Sequence, residues 1–561
     1  DKEEIEMSAS QDALNKLPAN TDNLSPTELE DIQLQGSEFI SVHPKQDSLK
    51  FVAPSAKYSL RKNIITANDV KFIRVADATV YLSDGEVVIE KKAKMQTLIN
   101  TKIIANTTTR YHTILNATTN IYGKKDYSAN GDYDYIDEQN MKQTIHFDVV
   151  TVDSSIQTYA TGKIGITDGF TLSPAYDYTG DVKMVASNPF LYFDGSVKMK
   201  HECEKMAPNW INFSADINPN EIYIPISEAP MDINNNQLHA SFMLTNDSAH
   251  IYPAFLNKHK NYSDTEMLKS SGFLYFDKSS KKYKISNKEK LIEFNLPGSY
   301  LSLSQSICNM YGEGKIDFGI DLGQIQFGSV GNINYDMELD NVAMDVFMLL
   351  NFFFNDKALE MMGNAVNTYA TEPIEFDRDE YRKGMAELVG EEKANEFIAN
   401  LSLGNFKKFP KELEQSLVIS QMNMKFEPAT HTFYSEGQIG ISNVLKIQVH
   451  KFVDGQVEII KKRSGDILTI YLELSENNWY FFTYRAGVMR TLSSNEEYNV
   501  LIRDMKPDDR KMNVEKGQTP YSFYPATTTV VKKFLKKYSE EVDDPENPDN
   551  TNDEEDPEED Y

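Results

Sequence analysis

The chain has 561 residues, 40% hydrophobic and 11% aromatic, with 57 Lys and Arg against 85 Asp and Glu. That is enough apolar surface for a sizeable core and about two to four packed units. The formal charge of −28 excludes the basic footprint that a phosphate backbone requires, so nucleic acid is not an expected partner.

In chain order, residues 1–47 are expected to be a disordered linker, with Pro18, Pro26, scattered Asn, Ser and Glu, and one short helical turn after Ser25. The chain opens on Asp1 rather than Met, which reads as processing or a fragment boundary. From residue 48 to 350 the texture is that of β-strands: Tyr, Phe, Val, Ile and Thr alternate with polar residues, and turn residues punctuate them. Thr144 to Val149 is one such run. The most apolar stretch, Val342 to Phe354, is broken by Asp345 and Asn351, so no transmembrane helix is expected.

Residues 351–410 form a helical insertion. Asn355 is placed to cap a first helix with Leu359, Met362, Val366 and Tyr369 on one face. Arg378 to Val389 and Glu391 to Leu401 follow, separated by Gly390. A C-terminal β-rich region spans 411–538, with short helices expected over Lys408–Glu414, Ser494–Met505 and Thr529–Tyr538. Residues 539–561 are an acidic tail, expected to be disordered and solvated; the segment from 540 carries 13 acids and no Lys or Arg. The fold class is therefore mainly β: stacked or elongated antiparallel layers, jellyroll- or trough-like, with a small helical insertion.

A short pattern recurs in the β regions: an aromatic residue, then Gly, a polar residue, and Ile or Val. It appears as Tyr159…Gly162-Lys-Ile164, Tyr178…Gly180-Asp-Val182, Phe193…Gly195-Ser-Val197, Tyr311…Gly314-Lys-Ile316 and Tyr434…Gly437-Gln-Ile439. Glycine inside a strand marks a bend or a close backbone approach. The copies read either as ordinary hairpin glycines or as a stack of similar β units whose inward residues Ile164, Val182, Val197 and Ile316 line an apolar groove.

Chemistry-bearing motifs are few. His201-Glu-Cys203-Glu204 crowds metal-type ligands, but two ligands on one strand face do not complete a zinc site. Asp132, Asp134 and Asp137 lack the glycine position and final glutamate of a calcium loop. Gly312-Glu-Gly314 lacks the strand-loop-helix setting of a dinucleotide site. No nucleophile elbow or zinc helix occurs, so neither catalytic residues nor a metal or cofactor are expected, and the chain is read as a non-enzyme. Cys203 and Cys308 are the only cysteines; of a single bridge and two buried free thiols, the thiols are the favoured reading.

Several strings carry a resemblance. Val70-Lys-Phe-Ile-Arg-Val-Ala-Asp-Ala78, Lys92-Ala-Lys-Met95, Tyr127 to Tyr135, Leu172-Ser-Pro174, Trp210-Ile-Asn-Phe213, Ile224-Pro-Ile226, Met310 to Asp317 and Lys462 to Ile467 resemble the C-terminal portion of large envelope or secreted proteins of the Bacteroidota, over most of residues 50–538. The architecture is similar, more distantly, to the lipopolysaccharide-transport β-jellyroll and to AsmA/TamB-type proteins. The resemblance implies an extracytoplasmic location, periplasmic or outer-membrane associated, in a Gram-negative cell. The expected function is a non-catalytic scaffold or conduit that handles lipid acyl chains or supports outer-membrane assembly. A module that binds another envelope protein is the alternative. A glycan-active enzyme, with only Trp210 and Trp479 available for stacking, comes third.

Overall fold

The computed structural model describes residues 4–8, 25–32, 34–246, 250–404 and 409–538. The acidic tail and the beginning of the expected Lys408–Glu414 helix lie outside the described residues, as do residues 1–3 and 9–24 of the expected linker. The protein is mainly β, built on large antiparallel sheets. The chain divides into two compact units, residues 1–316 with 332–342 and residues 317–331 with 343–561.

In the first unit a 13-stranded sheet runs as a meander. From Leu98–Ala105 through His112–Gly123, Asp126–Ile136, Lys142–Val152, Thr158–Ile164, Tyr176–Val185 and Leu191–Met199 to Trp210–Ile217, each long strand pairs antiparallel with its predecessor. Short connections between neighbours are what period-2 runs separated by turn residues should give. Its other end passes through Ala78–Tyr81, Phe72–Val75 and Lys50–Ala53 to the edge strand Ser37–Ile40. A four-stranded sheet in the same unit comprises Glu4–Ser8, Ser55–Ser59, Ile64–Asn68 and Val87–Ile89. The segment read as linker up to residue 47 thus supplies two strands and the helix Pro26–Ile32. It is too polar to build a core alone, but Phe39 stacks on Phe51 across the edge pair, centroids 5.3 Å apart. The helix buries no residue and is held by charge instead: Asp31 on Arg74 at 2.6 Å and Glu30 on Arg110 at 2.9 Å.

The glycine pattern has a definite structural meaning. Three of its copies lie side by side in adjacent strands of the meander rather than in stacked layers. Gly162 sits opposite Val182, Ile164 opposite Gly180, and Gly180 opposite Gly195, which puts all of them on one sheet face. Tyr178 lies over the Gly180–Gly195 pair, and its ring meets Phe193 and Phe213 at 5.0 and 5.9 Å. A Cβ on Gly195 would stand 2.3 Å from the Thr179 carbonyl oxygen and 2.9 Å from the Tyr178 hydroxyl. The missing side chains are the space that the aromatic ring occupies.

The first unit also contains the disulfide Cys203–Cys308, which corrects the free-thiol reading. Residues 105 apart in sequence meet because the stretch after strand Leu191–Met199 folds against the turn before Asn309–Lys315. Beside it the Glu202 N–H donates to the Gln305 carbonyl at 2.8 Å. The buried Tyr283 hydroxyl lies 2.8 Å from the carbonyl oxygens of both Ala175 and Lys200.

In the second unit the strands Leu417–Glu427, Thr432–Val444, Ile447–Ile460, Ile467–Ser475, Asn478–Arg485 and Val488–Ser493 form another meander, closed by the parallel strand Ser522–Pro525. The helices Asp356–Tyr369, Asp379–Val389 and Glu391–Ser402 fall where their periodicity placed them, and Asn355 caps the first through Ala358 N–H. Leu359, Met362 and Val366 are buried, but Tyr369, in the last turn, is 47% exposed. Gly363 packs against Val444 and Ile447, and the end of that helix is tied to the same sheet: Asn367 donates to the Gln448 carbonyl, and the Lys451 ammonium donates to the carbonyls of Asn367 and Ala370. The helices Glu496–Arg503 and Thr528–Lys536 agree with expectation, whereas the described part of 408–414 is only a single turn, Lys411–Leu413.

Two outcomes follow from this packing. Gly195→Ala should lower stability by about 1–3 kcal/mol through overpacking, read as a fall in the urea midpoint with far-UV circular dichroism. Iodoacetamide should add nothing to the denatured, unreduced protein and two adducts after reduction. By loop-closure entropy over 105 residues, reduction should remove about 4–5 kcal/mol.

Candidate functional site

The four residues expected to line a groove are all buried: Ile164 and Ile316 are 5% and 4% exposed, Val182 and Val197 0%. Ile164, Val182 and Val197 do share one sheet face, as the pattern requires, but the rings of Tyr178, Phe193 and Phe213 cover that face. These positions are packed core, and none of the four borders the cleft described next.

An open apolar cleft of about 430 Å³ lies instead in the first unit, between the edge of the 13-stranded sheet and the four-stranded sheet. One wall is Phe39 and Ile40 with Phe51, on the edge pair. The other is a cross-strand row, since Tyr58 pairs with Ile65 and Ile65 with Ile89. Two residues along the same strands, on the same face, come Ala56, Ala67 and Val87, each 0–1% exposed. Small side chains let that end of the sheet close onto the core. Large ones hold the other end open, where Tyr58, Ile65 and Ile89 remain half-buried. Ile5, opposite Tyr58 on the outermost strand, extends the row and is 48% exposed. At the mouth Ile40 is 55% exposed and Val42 97%.

The rim is the turn that follows Ile89. Ile89 bridges to Met95, and Glu90 N–H donates to the Lys94 carbonyl at 2.7 Å. Between them Lys92 and Ala93 both take left-handed backbone, φ 64° and 59°. For residues with a Cβ this costs about 1–2 kcal/mol each, so the surroundings must hold it. Gln46, 7% exposed, provides one such hold by donating its side-chain amide to the Ala93 carbonyl, and its own carbonyl accepts from Leu49 and Lys124 N–H. The turn displays Lys91, Lys92 and Lys94 to solvent. Lys94 reaches Glu90 at 3.9 Å, whereas Lys91 and Lys92 make no ion pair among the described residues.

The other sequence candidates are occupied elsewhere. Cys203 is spent on the disulfide, and both ring nitrogens of His201 are buried with no hydrogen-bond partner among the described residues; burial depresses its pKa. Asp132 holds His146 and Asn116, Asp134 holds Lys142, and Asp137 accepts from the N–H groups of Gln139 and Met141. Among the described residues no group of three or more His, Cys, Asp or Glu could hold a metal ion. Glu313 lies within strand Asn309–Lys315 and is paired in the interior with Lys290 at 2.7 Å, so Gly312-Glu-Gly314 is not a phosphate loop. Trp210 carries the Lys198 ammonium over its ring, and Trp479 packs on Tyr471. Among the described residues no helix is long and apolar enough to cross a membrane, which leaves strand-based spanning untouched.

Sequence reasoning passed over Phe39, Ile40, Gln46, Tyr58, Ile65 and Ile89. The available signal was the lysine-rich string ending at Met95, flanked on both sides by alternating apolar residues. Comparison with protein-family models matches none of them to this chain, and comparison with curated proteins finds no match.

Gln46→Leu should remove the hold on the Ala93 carbonyl while keeping the side chain's bulk. The expected result is a loss of about 1–2 kcal/mol in local stability, read as faster hydrogen exchange over residues 90–96 and unchanged exchange in the meander.

Proposed function

We propose that this cleft binds the acyl chain of an anionic amphiphile, and that the protein is a non-catalytic, extracytoplasmic carrier or holder of such lipids in a bacterial envelope. The observation that carries the reading is the pairing of an open apolar trough with two rim ammonium groups, Lys91 and Lys92, that make no ion pair among the described residues. A hydrocarbon chain laid on Phe39, Phe51, Tyr58, Ile65 and Ile89 gains about 0.8 kcal/mol per buried methylene. Lys91 and Lys92 stand where the charged end of that chain leaves the apolar surface.

Two further observations support the reading. The chain is acidic overall, so a local run of lysines, of which Lys91 and Lys92 make no ion pair among the described residues, is a departure from its own background. The disulfide suits an oxidising compartment, in keeping with the envelope resemblance. A second reading, an interaction module for another envelope protein, is favoured by Ile40 and Val42, exposed at or next to the edge strand Ser37–Ile40.

Native mass spectrometry of protein purified without detergent, together with titration by the fluorescent fatty acid cis-parinarate, separates the two. Stoichiometric lipid and parinarate binding are expected. Ile65→Glu, at a half-buried position, should weaken that binding at least tenfold, and Lys91→Glu with Lys92→Glu should weaken it in a salt-dependent way. A lipid-free mass and no parinarate signal would remove the lipid reading and leave the interaction module.

A further inference from the structure

A second cleft of about 550 Å³ adjoins the first and shares Gln46, Lys92 and Met95 with it. Its lining differs in kind. Lys45, Lys92, Lys94 and His43 border it, and no Asp or Glu does, in a chain where acids outnumber bases by 28. Lys45 and Lys92 make no ion pair among the described residues. The remaining polar lining is neutral and has both senses of hydrogen bond to offer. Thr97 donates its hydroxyl to the Asn120 side-chain oxygen at 2.7 Å, which leaves the Asn120 NH₂ as a donor. Gln96 donates one N–H of its side-chain amide to Glu90 at 2.8 Å, and its carbonyl oxygen is an acceptor. The Tyr122 hydroxyl, 2.9 Å from Ser128 Oγ, stands beside them.

Building on the acyl-chain reading, we infer that the amphiphile's head is a phosphate ester of a hydroxyl-rich group, a phosphorylated glycerol or sugar, seated in this polar cleft. A fatty-acid carboxylate would fill a small part of such a space and would use one ammonium. Three lysines around one cavity, Lys45 and Lys92 together with Lys94, which has Glu90 3.9 Å away, match a phosphate, which carries more charge and has several acceptor oxygens. The mixed donors and acceptors of Asn120, Gln96 and Tyr122 match hydroxyls, which both donate and accept. Lys92 borders both clefts, and so marks where the phosphate would join the acylated part. Lys45 and Lys94 border only the polar cleft, which lets the two halves of the site be tested apart.

The experiment measures displacement of cis-parinarate by decanoate and by dihexanoyl phosphatidate below its critical micelle concentration, with glucose 1-phosphate and inorganic phosphate as soluble competitors against phosphatidate. Phosphatidate is expected to bind at least tenfold tighter than decanoate. Lys45→Gln with Lys94→Gln should erase that advantage and leave decanoate within about twofold, since neither residue borders the apolar cleft. Glucose 1-phosphate should compete at lower concentration than inorganic phosphate, which identifies the head as an ester. Equal competition by the two would assign the cleft to free phosphate and overturn the headgroup. Decanoate binding with no phosphatidate advantage, or an advantage that survives in the double variant, would overturn this inference and leave the acyl cleft standing. Failure of every probe, parinarate included, would remove both. Thermal unfolding of the double variant, which alters two exposed side chains, should match that of the parent.

Discussion

Backbone N–H and C=O groups in a strand need partners on both sides, and in this protein most strands find them in the segments nearest in sequence. The long meanders of both units follow from that constraint, because each hairpin needs only a short turn and a matching alternation to fix its register. A sheet assembled this way grows sideways without closing, so it ends in edges. The cleft at residues 39–95 forms where one such edge, Ser37–Ile40, meets a second small sheet that diverges from it. Core packing and the candidate site are therefore consequences of the same pairing rule, one in the middle of the sheet and one at its margin.

Along the meander the inward face is filled in a particular way. Paired glycines at 180 and 195 remove two side chains so that one ring, Tyr178, can lie flat across the strands and contact its aromatic neighbours. The same logic of side-chain size runs in the opposite sense in the four-stranded sheet. There the small Ala56, Ala67 and Val87 close one end, and Tyr58, Ile65 and Ile89 hold the other open. Size patterning along single strands, more than hydrophobicity as such, distinguishes sealed core from open cleft.

This explains what could be read in advance. Alternation gave the β class, and 3.6-residue periodicity with Asn355 and Gly390 as punctuation gave the helices of 356–402 nearly to the residue. Ile164, Val182, Val197 and Ile316 were expected to line an open groove; all four are buried, and the first three share one sheet face. Whether an inward face is covered or open depends on what packs over it, here Phe213 and Phe193 from neighbouring strands, and the alternation of a single strand carries no record of that. The Cys203–Cys308 pairing was hidden for a related reason, since it is made by the approach of segments 105 residues apart. Residues 37–47 were misread because their local composition is polar; their order comes from Phe51, Ala93 and Lys124, none of them nearby in sequence except Phe51.

The helix Pro26–Ile32 contributes no buried side chain and is tied down through Glu30 and Asp31 to Arg74 and Arg110, with the Tyr81 hydroxyl on Glu30. Contacts of that kind are screened by mobile ions, whereas the packing beneath them is strengthened by many of the same salts. Ionic strength thus acts on the helix and on the sheet below it in opposite directions. As ionic strength rises, this helix would loosen while the body tightens. Its grip on the sheet would then track the saltiness of the surroundings, independently of whether the protein as a whole is near unfolding.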